Sequence, residues 1–171
     1  MRSSRVFASV ALAFGVVLVP VPTASAVSDV PATCKLDAGS VQKVLGVSDA
    51  NKYAGPEFLA GGTCSWRTTD PNCFLRVLSV RQHVTSKELA AVTDMMAQAK
   101  PFDRAPRALG NNAFFAHTDL GPGAAIAIER LYLPHGDKSW VEVTLSGRLG
   151  PDGSRGLLVT AAKAVPRLAP L

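Results

Sequence analysis

Thr63-Cys64-Ser65-Trp66-Arg67-Thr68-Thr69-Asp70-Pro71-Asn72-Cys73, continuing through Phe74 to His83, is the stretch whose reading decides the fold. Thr63 to Thr69 is rich in β-branched and aromatic residues, and Cys64, Trp66 and Thr68 alternate onto one face of a short strand. Asp70-Pro71-Asn72 places Pro and Asn in turn roles that suit them. Cys73 to His83 resumes as a longer strand, so the pair reads as a hairpin.

On either side of the hairpin the signals are helical. Downstream, Thr85-Ser86-Lys87-Glu88 has the spacing of a capping box, with Val84 and Leu89 as its hydrophobic staple. Leu89, Val92, Met96 and Ala99 form the expected buried stripe, and Pro101 halts the helix. Upstream, Asp37 can cap a short helix whose apolar face is Val41, Val44 and Leu45, with Leu36 stapled to Val41. Gly46 offers its left-handed stop. Ser48 to Gly62 reads as loop, punctuated by Gly55-Pro56 and Gly61-Gly62.

Past a basic, Pro-containing connection (Phe102 to Leu109) three more strands are expected: Ala113 to Thr118, Ala124 to Leu133, and Ser139 to Ser146. Gly121-Pro122-Gly123 and Pro134-His135-Gly136-Asp137 separate them. The last is the cleanest, with Val141, Val143 and Leu145 inward and Glu142 and Thr144 outward. Leu157 to Leu168 closes the chain as an amphipathic helix that Pro166 kinks or ends. The order α-β-β-α-β-β-β-α predicts an α+β fold, a mainly antiparallel five-stranded sheet packed by helices.

The N-terminus says where such a domain works. Arg2 and Arg5 precede an apolar run from Val6 to Val19; Pro20 and Pro22 follow, and Ala24-Ser25-Ala26 offers small residues for cleavage. That order is a secretory signal peptide over 1–26, the run being too short to read first as a spanning helix. Residues 27–33 read as a flexible leader and 34–171 as one α+β domain. Removal of the signal leaves 145 of the 171 residues, enough for a real core. The mature chain carries 16 basic and 13 acidic residues with no basic block, which argues against a nucleic-acid partner and against stable membrane insertion after cleavage. The expected location is secreted or extracellular, in the cell envelope.

Three cysteines, Cys34, Cys64 and Cys73, leave one thiol over if a disulfide forms. A Cys34–Cys64 bond would tie the chain's start to its first strand, worth about 3–4 kcal/mol by loop-closure entropy. Cys64–Cys73 could instead staple the hairpin arms across a shorter loop. The first is favoured. Pro31-Ala32-Thr33 before Cys34 is no lipobox, so Cys34 reads as structural and unlipidated.

With Cys34, Val44-Leu45-Gly46, Gly62-Thr63-Cys64-Ser65-Trp66 and Leu109-Gly110-Asn111-Asn112-Ala113-Phe114-Phe115, the mature chain resembles a family of actinobacterial secreted proteins and lipoproteins of unknown function. The resemblance implies a Cys34–Cys64 disulfide and an α/β sandwich similar to PsbP-like and mycobacterial envelope lipoprotein domains. It implies no catalytic residues. The chain departs from it in lacking a lipobox and in carrying Cys73.

Catalytic and metal-binding patterns in the chain are weak. Cys64 beside Trp66 resembles a cysteine-protease nucleophile only superficially, since it falls on a strand rather than at a helix start. His117 and Asp119, joined by His135, could be pictured holding a metal, but turn positions make solvated histidines the better reading. Asp152-Gly153-Ser154-Arg155-Gly156 reads as a cap for the last helix rather than a nucleophile elbow. Lys100, Arg104 and Arg107 form the densest basic spot, read as a solvated connection. Phe114, Phe115, Tyr132 and Trp140 read as core, with a ligand pocket between sheet and helix as the alternative.

These readings lead to an exported, non-catalytic binding module without cofactor, its partner a small apolar ligand, an envelope component or another protein. A secreted hydrolase using residues such as His117, Asp119 and Ser154 is the alternative, and a surface interaction domain using Arg104 to Arg107 is a third. N-terminal sequencing of the exported protein should begin at Val27; an intact Met1 chain recovered in membranes would overturn the signal peptide.

Overall fold

The computed structural model describes residues 34–70, 75–118, 120, 126–136, 138–148 and 151–165, with side chains of the last segment from 153 onward. The expected signal peptide and leader, the expected turns at 71–72 and 121–123, Cys73, Asp119, Asp137 and Pro166 lie outside them. Three helices, α1 (Ala38–Leu45), α2 (Ser86–Gln98) and α3 (Pro151–Ala164), accompany six strands. These are β1 (Tyr53–Leu59), β2 (Thr63–Thr68), β3 (Arg76–His83), β4 (Phe114–Thr118), β5 (Ala127–His135) and β6 (Ser139–Gly147). They form one antiparallel open sheet in the order β1-β2-β3-β6-β5-β4.

The fold is α+β, as the hairpin reading expects, but the sheet has a sixth strand. Tyr53–Leu59 was expected to be loop because Gly55-Pro56 looks like a turn. Here the pair forms an irregularity in an edge strand, where the register slips between Ala54 and Glu57. An edge strand tolerates Pro because one side of its backbone needs no partner. Gly55 has φ 125°, and a Cβ on it would stand 2.5 Å from the Ser65 carbonyl oxygen. Only glycine fits there.

The local signals behave as their chemistry dictates. Asp37 accepts a hydrogen bond from the Ser40 N–H at 2.8 Å, and Gly46 ends α1 at φ 72°. Thr85 and Glu88 form the reciprocal capping box of α2. Val84, expected as its staple, is 51% exposed. Of the expected stripe on α2, Val92 alone is fully buried.

Alternation along the strands builds two unequal apolar layers. Cys64, Trp66, Leu78, Val80, Val143 and Leu145 face α1 and α3 in the main core. On the other side Val92 of α2 packs with Phe114 and Tyr132, flanked by Trp140 and Met96. The Phe114 and Tyr132 rings stack with centroids 5.0 Å apart, and Trp140 meets Phe114 edge-on at 5.9 Å. Phe115 lies in the main core, so the four aromatics do not line one pocket. Neighbouring strand residues point to opposite faces, and Phe114 and Phe115 are neighbours.

Cys34 and Cys64 are joined by a disulfide, their Cα atoms 5.5 Å apart, and both are buried in the main core. The bond fastens the segment before α1 to β2. No helix among the described residues is long and apolar enough to cross a membrane.

The cap of α2 also ties the helix to the sheet, since Glu88 pairs with Arg81 of β3. Hydrogen bonds from the Thr85 side chain and backbone, helped by the Arg81 charge, bring the Glu88 pKa from 4.5 down to about 2. A carboxylate so depressed contributes stability that is fully present above its unfolded value of 4.5 and is lost as pH falls toward 2. Urea unfolding of Glu88→Gln should therefore show a deficit against wild type at pH 6 that shrinks as pH falls through that window. A deficit independent of pH would contradict the assignment.

Candidate functional site

Two cavities open on the face of the sheet that carries α3, one near each end of that helix. The first, near the start of α3, has a volume of about 530 Å³ and is lined by Lys100, Phe102, Asp103, Phe115, Ala116, His117, Glu129 and Arg155. Its centre is Glu129 of β5, which shares the inward face with Leu131 and is only 4% exposed. His117 Nδ1 lies 2.8 Å from one Glu129 oxygen, and Arg155 Nε donates to the other at 3.1 Å. Arg155 also donates to the Phe102 carbonyl oxygen at 2.7 Å and to Asp103 at 3.0 Å, and its guanidinium stands 4.8 Å from the Phe115 ring centroid. Burial works against the Arg155 charge, but the hydrogen bonds to Asp103 and Glu129 outweigh it and hold its pKa above the ordinary value.

This arrangement revises several expectations. His117 is exposed, as expected of a solvated histidine, but it lies within β4 rather than in a loop and is oriented by a buried carboxylate. His135 ends β5, six residues beyond Glu129, roughly 20 Å along the strand. The two histidines therefore cannot share a metal. No group of three His, Cys, Asp or Glu among the described residues is placed to hold one.

Ser154 is 2% exposed, and Gly153 through Gly156 form part of α3 itself rather than a cap before it. The helix starts at Pro151 and ends at Ala164, six residues earlier at its start than expected. Arg155, tied to Asp103, Phe102 and Glu129, anchors that early turn from outside. Glu129 and Arg155 escaped the sequence reading; the available signal was period-two alternation, which puts Glu129 on the face of Leu131 and Leu133.

The second cavity lies near the other end of α3 and measures about 560 Å³. Leu109, Leu133, Val141, Ala162 and Val165 give it apolar walls, with Arg107, His135 and Lys163 among its lining. Val141 and Ala162 are buried, whereas Arg107 and Lys163 are exposed. A short 3-10 turn at Arg107–Leu109 supplies one wall. Gly110, at φ 121°, brings that wall against Pro134, whose ring would stand 2.9 Å from any added Cβ. The expected basic spot is thus divided: Lys100 lines the first cavity, Arg107 the second, and Arg104 makes a β-bridge with Phe114.

The opposite face, partly covered by α2, holds a polar network. His83 Nε2 lies 2.7 Å from Glu142, which also pairs with Arg130 at 3.3 Å and accepts from Thr144 at 2.8 Å. Burial alone would raise the Glu142 pKa; hydrogen bonds from His83 and Thr144, with the nearby positive charge, lower it instead. Burial, reinforced by Glu142, pushes Tyr132 up to about 12. This network sits under an aromatic cluster with its charges already matched, which is the layout of a structural connection.

The cavities differ in charge. In the first, Asp103 and Glu129 answer Arg155 and His117. In the second, the described lining contains no acid at all. One is a tied-off ion network and the other keeps its positive charge available.

If Glu129 is the hub of the first cavity, Glu129→Gln should cost about 1–3 kcal/mol in chemical denaturation by leaving Arg155 and His117 short of their acceptor. Unchanged stability would show that the network carries no net stabilisation. No family model, curated protein or solved structure matches this chain.

Proposed function

We propose that this chain is an exported, non-catalytic binding module of the cell envelope, of the kind suggested by its resemblance to actinobacterial secreted families. Its ligand seat is the cavity walled by Leu109, Leu133, Val141, Ala162 and Val165. The observation that carries the reading is the cavity itself, an open hollow whose volume of about 560 Å³ lies in the range of small-molecule sites and whose lining mixes apolar side chains with Arg107, His135 and Lys163. A disulfide in the main core accords with an oxidising compartment.

The hydrolase alternative draws on the His117–Glu129 pair, in which a carboxylate orients an imidazole. Against it, Ser154 is buried and so is no accessible nucleophile, and the acids of that cavity are engaged with Arg155. Binding is the reading with more physical support.

Native mass spectrometry of the protein purified from its own culture medium, compared with its denatured mass, tests the proposal. A bound mass lost on denaturation, together with uptake of a neutral solvatochromic dye that Leu109→Asp abolishes, is the expected result. A bare protein that takes up no dye would overturn it.

A further inference from the structure

Resting on the reading of this cavity as a ligand seat, we propose that its occupant is a single-chain anionic amphiphile, an acid head held by Arg107 and Lys163 with its apolar tail laid over Leu133 and Val141. The charge pattern points there. Among the described residues Arg67, Arg81, Arg130 and Arg155 each face a carboxylate, whereas Lys100 and Arg104 face none. Nor, among the described residues, do the side chains of Arg107, His135 and Lys163, and these three line one cavity. A cavity whose described lining carries the cations Arg107 and Lys163 and no acid favours an anionic head over a neutral one.

A solvated surface is the competing account, and Lys163 alone would fit it, because it stands in the last turn of α3 where a cation also answers the helix dipole. Arg107 has no such reason. It comes from a separate segment, the 3-10 turn, and stands across the cavity wall formed by Leu109 and Gly110. Guanidinium is also the group best matched to a planar carboxylate or a phosphate.

The layout further selects an amphiphile over a bare anion. Arg107 and Lys163 are exposed, whereas Val141 and Ala162 are buried and Leu133 is half-buried. At roughly 30 Å³ for each water-sized group, about 560 Å³ takes on the order of 20 non-hydrogen atoms. That is the size of a medium-chain to long-chain acid. A head group alone would leave the apolar walls uncovered.

Laurate and dodecanol, both below their aggregation limits, separate this inference from the reading beneath it. Calorimetric titration of the mature protein should show laurate binding about tenfold tighter than dodecanol, the gain expected of a charge-assisted contact. The Arg107→Gln/Lys163→Gln variant, with both changes on exposed side chains, should bring the two ligands to equal affinity and leave dodecanol unaffected. Raised salt should weaken laurate only. Equal binding of both ligands by wild type would overturn the anionic head while leaving an apolar seat. Failure of both to bind would overturn the seat as well. Acetate or inorganic phosphate binding as tightly as laurate would overturn the tail. Binding to anionic phospholipid vesicles without binding of monomeric laurate would likewise overturn the proposal, in favour of a membrane-surface contact.

Discussion

The pairing of β3 with β6 is the constraint on which the rest of this structure depends. It runs from Arg76 opposite Gly147 to His83 opposite Trp140 and joins the first hairpin to the last. A slip of one residue would turn either Leu78 and Val80 or Val143 and Leu145 away from α1 and α3 and break the layer. Because these four are fully buried in one contiguous core, the register is held by apolar burial on one face. The Glu142 network and the aromatic cluster on the other face then follow from the same alternation.

Much of this was legible because it is local. Asp37 and Gly46, Thr85 and Glu88, and the alternating Val141, Val143 and Leu145 each carry their meaning within a few residues. Strand β1 was not legible, since Gly55-Pro56 has the composition of a turn and becomes a strand only when β2 is there to pair with it. The start of α3 was hidden for a similar reason. Gly153 and Gly156 weaken a helix locally, and its first turn is held by Arg155 reaching Asp103, 52 residues away in sequence.

The two cavities were less legible than the fold, because both are assembled from distant segments. Arg107, His135 and Lys163 lie in three separate parts of the chain, and no spacing rule relates them. The histidine at 117 was visible as a residue, but its partner Glu129 has meaning only once β4 and β5 are set side by side. Helix α3 organises both ends: Arg155 closes one cavity with matched charge, and Ala162 to Val165 leave the other open. A rigid helix fixed at its first turn is a stable wall for whatever occupies the space near its last.

The irregular edge strand bears on how this sheet meets another copy of itself. An open sheet ends in unpaired backbone groups that can recruit another copy. Strand β1 breaks its own regular spacing at Ala54–Glu57, carries a proline without an N–H to offer, and presents Glu57, paired with Arg67 of β2, beside the break. The feature that concealed the strand in the sequence also makes it a poor template for fibril growth.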